Sequence, residues 1–199
     1  MNERYLNNRV QCHGLPGHRH GPSSYWMHDP DLVFRRLELK KGYCFLDMGC
    51  GPGDYTIRAS GIVGNSGVVF ALDVSQAAIH GLRTKVGRQR IENVKATVCD
   101  ITGPLPVKDN SVDVCLMATV LHVPAVAIKA DTVFAEVRRV LKPGGRLGII
   151  ECKKDSPFGP PREMRLSPED VSDIAWAHGF ERVRLTDLGY NHLIQLAAT

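Results

Sequence analysis

Three carboxylates stand where short apolar runs end. Asp47 lies in "FLDMGCGPGDYT" (45–56), Asp73 in "GVVFALDVS" (67–75) and Asp100 in "NVKATVCD" (93–100). The first is followed at once by Gly49, Gly51 and Gly53. Glycines so spaced let the backbone turn through positive φ and let a ligand come close to the chain. An acid just before such a loop suits a cationic group and repels a diphosphate. A nicotinamide-binding loop reads G-x-G-x-x-G, its third glycine packing the helix on the strand. Counted from Gly49, that position holds Asp54.

The elements that must position these acids alternate along the chain. Helices are expected at 29–39, with Pro30 at the first position, and at 54–64. Two more follow at 75–90, with Ser75 as N-cap, and at about 127–141. The last opens at "SPED" (167–170), with Ser167 as N-cap, and closes at Gly179. Buried strands are expected at 43–49, 67–75, 93–100, 111–119 and 146–152, with "KPGG" (142–145) as a helix stop. The segments 180–187 and 190–198 read as an antiparallel hairpin turning near Leu188-Gly189. Repeated strand–helix alternation predicts an α/β fold, a mostly parallel sheet with helices on both faces. One strand of the hairpin must run backwards. In such sheets ligands bind beyond the carboxyl ends of the strands, where all three acids lie.

Composition narrows the function classes. The chain of 199 residues suits one domain, and a net charge of +4 forces neither a nucleic-acid nor a membrane partner. The basic clusters at 83–90 and 138–146 read as solvated helix faces. No apolar run reaches the length of a membrane span, and the first residues lack the apolar core of a signal peptide. Of six cysteines no pair has CxxC spacing; they read as reduced thiols of a cytoplasmic protein.

The three acids describe a nucleoside that carries a cation. Asp73 can accept both ribose hydroxyls, and Asp100 an adenine amine beside apolar Ile101. S-adenosylmethionine has that chemistry. The motifs "LDMGCGPG", "ALDVS", "CDITGPLPVKDNSVDVC" and "VRRVLKPGGRLGIIE" together resemble class I S-adenosylmethionine-dependent methyltransferases, closest to the ubiquinone/menaquinone-biosynthesis branch. The likeness covers about residues 30–198. It implies a Rossmann-like, seven-stranded sheet with the last strand antiparallel, and S-adenosylhomocysteine as the spent cofactor. It also implies that Gly49, Cys50 and Gly51 border the methionine tail and the sulfonium. Asp47 then positions the amino end and Tyr55 touches the carboxylate end. Asp73 with Val74 serves the ribose side, Asp100 with Ile101 the adenine, and the Ala118 carbonyl the amino group. Asp113, inside its strand, reads as structural.

The acceptor side is thinner. His122, in "ATVLHV" just past the fourth strand, is the candidate general base; the plainer reading is a packing or capping histidine. Arg162 or Arg165 can face an anionic acceptor, and Tyr25 and Trp26 belong to an expected lid over residues 1–28, before a single domain at 29–199. Cys12, His13, His18, His20 and His28 fit no common zinc template, so no metal is expected. The place after the fourth strand reads "ATVL" rather than Asn/Asp-Pro-Pro-Tyr/Phe, against methylation of nucleic-acid bases. The expected activity is methyl transfer to a small-molecule acceptor. The alternatives are a protein that only binds S-adenosylmethionine and a nicotinamide-dependent oxidoreductase.

Overall fold

The computed structural model describes residues 23–199. After a 3-10 turn at Ser24–Met27, the chain runs α1 (Pro30–Leu37), β1 (Cys44–Met48), α2 (Asp54–Val63), β2 (Val68–Asp73), α3 (Gln76–Arg88) and β3 (Val94–Val98). Then come β4 (Val112–Ala118), α4 (Pro124–Ala127), α5 (Ala130–Val140), β5 (Leu141–Cys152), a 3-10 turn at Arg162–Met164, α6 (Pro168–Trp176), β6 (Phe180–Asp187) and β7 (Asn191–Ala198). Four of the helix starts fall where expected; the helix expected from about 127 begins at Ala130, after a separate short helix at Pro124–Ala127. Asp29 caps α1 ahead of Pro30, Ser75 accepts from the Ala78 N–H, and Ser167 and Asp170 form a reciprocal capping box.

The strands form one seven-stranded sheet in the order β3-β2-β1-β4-β5-β7-β6. β1 pairs in parallel with β2 and β4, and β7 runs antiparallel to both β5 and β6. β7 is therefore the one reversed strand. Strand order turns back at β1/β4, the point where open α/β sheets bind ligands.

Every residue of β1 is buried, which is why it reads as a continuous apolar run. Its alternate side chains feed two cores. Leu46 and Met48 join Phe134, Val137, Val171 and Ile194 beneath α5 and α6. Phe45 faces Phe34, Leu37, Tyr55 and Val63 of α1 and α2. A smaller cluster of Cys50, Ala71, Ile79 and Leu82 seats α3.

One expectation is corrected. "KPGG" does end the helix, but it lies inside β5 rather than before it. Leu141 already pairs with Val112, and the ladder resumes only at Arg146 opposite Val114. Pro143 has no N–H to give the ladder, so the intervening residues bulge outward. Asp113 secures this corner, accepting from the Cys44 N–H at 2.8 Å and from Lys142 Nζ at 2.6 Å. Its structural reading holds.

At Gly148 of β5 the strand comes close to α1. A Cβ there falls 2.6 Å from Leu37 Cδ2 and 3.3 Å from Leu116 Cδ1, both in a sealed core. Gly148→Ala is expected to destabilise the protein by about 1–3 kcal/mol through overpacking. Urea unfolding checks this; unchanged stability would show that α1 yields freely.

Candidate active site

The glycine loop hangs from the end of β2. The N–H groups of Gly49 and Cys50 both donate to the Leu72 carbonyl, at 2.8 and 3.0 Å. The Gly51 N–H donates to Asp73 Oδ2 at 2.8 Å, and the Ser75 N–H to Asp73 Oδ1 at 2.8 Å. Two of the glycines are needed for room. A Cβ on Gly49 would lie 2.5 Å from Val120 Cγ2, and one on Gly53 2.3 Å from Leu82 Cδ1. Gly51 differs: its φ of 51° favours glycine, yet a Cβ there would meet nothing within 4 Å. The loop is thus packed at both ends and open at its middle.

The expected cofactor residues divide by what the fold does with them. Asp73 is 9% exposed, and each of its oxygens keeps a lone pair beyond the backbone bond it accepts. Val74 beside it is 69% exposed, an apolar surface at the end of β2. Asp100 takes both the N–H and the hydroxyl of Thr102 on Oδ1, and these bonds hold its carboxyl below the usual range. Ile101, expected beside the adenine, is 7% exposed and packs with the main core, and Val74 offers the more exposed apolar surface. The Cys50 side chain turns into the α3 cluster, leaving only its backbone to border the loop. The Ala118 carbonyl accepts from the Thr119 hydroxyl at 2.6 Å, and Thr119 holds a φ of 57°.

Asp47 is 1% exposed on the face toward α2, where it accepts from Thr56 Oγ1 at 2.5 Å. Burial pushes its carboxyl up to about 7, against the Thr56 bond and with a smaller push from Asp73. It holds a proton more tightly than an ordinary aspartate, two residues before the first glycine of the loop.

Residues 23–28 of the expected lid fold onto the start of α2; residues 1–22, with Cys12, His13, His18 and His20, lie outside the described residues. Trp26 Nε1 donates to Asp54 Oδ2 at 3.2 Å, and Tyr25 stands edge-on to both Trp26 and Tyr55. Tyr55 is buried, and its hydroxyl shares a 2.7 Å hydrogen bond with His28 Nε2. That bond ties Tyr55 to the 23–28 segment. Desolvation drops the His28 pKa to about 4, so the ring is neutral near pH 7.

On the other side of the switch point, His122 Nδ1 lies 2.7 Å from Glu151 Oε2. Glu151, 1% exposed at the end of β5, also accepts the N–H groups of Leu121 (2.9 Å) and His122 (3.3 Å) on Oε1. The sequence reading missed Glu151. The available signal was an acid ending the fifth apolar run, as Asp47, Asp73 and Asp100 end the first three. Opposite Glu151 on β7 is His192, buried, with its Nε2 unpartnered. It lines a cavity of about 400 Å³ with Lys153, Lys154, Ser167, Leu185 and Asp187.

Arg165 is corrected. Its guanidinium donates to the carbonyls of Pro160, Lys153, Lys154 and Ser156, stapling the 153–165 loop instead of facing an acceptor. Among the described residues no group of three or more His, Cys, Asp or Glu side chains is placed to hold a metal.

The methyltransferase-domain family matches residues 39–182. A solved S-adenosylmethionine-dependent methyltransferase from Aquifex aeolicus is 30% identical, with a TM-score of 0.81 over 89% of this chain and 94% of that one. An arsenite methyltransferase from Halobacterium salinarum is 33% identical over 67% of this chain and 33% of its own length. A demethylmenaquinone methyltransferase from Lactobacillus johnsonii is 36% identical over 61% of this chain and 48% of its own. The matched part thus spans from a third to about half of these two curated relatives. A switch-point glycine loop ringed by strand-end acids and a domain match over most of the chain agree: this chain belongs to the S-adenosylmethionine-dependent methyltransferase family.

Proposed function

We propose that the protein transfers a methyl group from S-adenosylmethionine to a small-molecule acceptor. The observation that carries this is the pairing of an open Gly51 with Asp73, whose oxygens retain acceptor capacity, and the bare Val74. A ribose fits Asp73, an adenine fits the Val74 surface within reach of Asp100, and a sulfonium with its amino end fits the loop above Asp47. The bound cofactor supplies an electrophilic methyl carbon, so the chain's task is to align, to exclude water and to move a proton where one must leave. The lid segment with Tyr25 and Trp26 walls one side. The His122–Glu151 pair stands on the other, beside the cavity that reaches His192.

That pair favours an enzyme over a protein that only binds the cofactor, since cofactor retention needs no imidazole held by a carboxylate. Relatives named for arsenite and for demethylmenaquinone support a small acceptor. The described cysteines do not favour the metalloid: Cys44, Cys50, Cys115 and Cys152 are buried on separate elements. Their reduced state accords with the cytoplasm. Among the described residues no helix is long and apolar enough to cross a membrane.

Two measurements test the cofactor side. Removing the Asp73 carboxylate (Asp73→Ala) should weaken S-adenosylmethionine binding by about 10–100-fold in calorimetric titration, or about 1.5–3 kcal/mol. Unchanged affinity would remove Asp73 from the site.

Asp47 yields a pH signature. Its folded pKa lies above its unfolded value, so the folded protein holds the proton more tightly and stability falls as pH rises toward 7. A cation beside it favours the charged form. Binding of S-adenosylmethionine just below pH 7 should therefore release a proton, seen as a buffer-dependent binding enthalpy. Asp47→Asn should abolish that release and flatten the stability profile. A variant that still releases the proton would place the cation elsewhere. A labelled-methyl screen of small acceptors tests turnover itself.

A further inference from the structure

The mutual arrangement of Glu151 and His122 is more specific than a histidine near a cleft requires. Glu151 Oε1 accepts two backbone N–H groups, from Leu121 and His122, so the orientation of the carboxylate is set by main chain. Its other oxygen then lies 2.7 Å from His122 Nδ1. A carboxylate only accepts, so Nδ1 must carry hydrogen. The neutral ring is left with its lone pair on Nε2, the nitrogen away from Glu151. Charged groups also stand nearby, Lys154 and Asp155 around the cavity and Glu169 near His192. His192 faces Glu151 from β7, and Lys153 and Asp187 lie beyond it around the cavity.

We infer that Glu151 is a positioning residue that fixes the tautomer of His122, making Nε2 the general base, and that the acceptor is a protic nucleophile: a hydroxyl or a thiol. This rests on the methyltransferase reading above. The acceptor's proton passes to His122 Nε2. The electron pair it leaves forms the bond to the methyl carbon, and the carbon–sulfur pair departs with the thioether product. The ring becomes an imidazolium against the Glu151 carboxylate, which stabilises it. An acceptor without a proton to lose would need none of this.

The test is Glu151→Gln. Leu121 and His122 still offer two N–H donors, so the glutamine oxygen must take the place of Oε1. Its NH₂ then faces Nδ1, and a donor there forces the hydrogen of His122 onto Nε2. Backbone support is kept while the tautomer inverts. Imidazole ¹⁵N resonances of the cofactor-free protein, assigned with His122→Ala and recorded well above the usual histidine range, read this directly. The wild type should show hydrogen on Nδ1 and Glu151→Gln hydrogen on Nε2. A wild-type ring protonated on Nε2, or a ring unmoved in the variant, overturns the inference.

With an acceptor from the labelled-methyl screen, Glu151→Gln should lower kcat by about 10²–10⁴-fold with cofactor affinity unchanged. Full turnover in a variant whose tautomer has inverted would also overturn it. The resonances do not depend on turnover, so loss of cofactor binding in the wild type would sink the methyltransferase reading while leaving the tautomer assignment standing.

Discussion

The site depends on the pinning of a glycine loop to the neighbouring strand. Leu72 and Asp73, the last residues of β2, accept the N–H groups of residues 49, 50 and 51. Parallel pairing of β1 with β2 brings the two strand ends level, Met48 opposite Leu72. The bonds then follow without any ligand. Asp73 is at once the wall of the ribose pocket we propose and the clamp on the loop beside it. Orientation is thus established before binding, and less freedom has to be lost when the cofactor arrives.

Much of this was legible in the chain. Strand-end acids, alternating elements and the capping signals at Ser75 and Ser167 act over a few residues, and local pattern reports local structure faithfully. The expectation for Asp113 also held, because a charged residue within a buried strand must find donors. What escaped were facts of distance. Glu151 meets His122 across 29 positions, and only the adjacency of β4 and β5 brings them together. That Ile101 packs with the main core after β3 was likewise not written in its local spacing. Arg165 looked like a free cation, but the stiff loop around it needed donors for its carbonyls.

The two faces of the sheet carry separate groups of hydrogen-bonded polar residues. The α2 face carries Asp47, Thr56, Tyr55 and the lid residues, linked by short hydrogen bonds and edge-on rings. The α5/α6 face carries Glu151, His122 and His192. β1 and β4 stand between them.

The bulge in β5 has a consequence for the rest of the strand. Between Leu141 and Arg146 the strand carries residues that no partner opposes, while Val112 and Val114 on β4 run on without a gap. This slack lies upstream of everything β5 presents to the cleft. The pairing from Arg146 to Cys152 is fixed by β7. The bulge thus parts the end of α5 from the paired length of β5, and it is the ladder with β7 that sets Glu151 opposite His192.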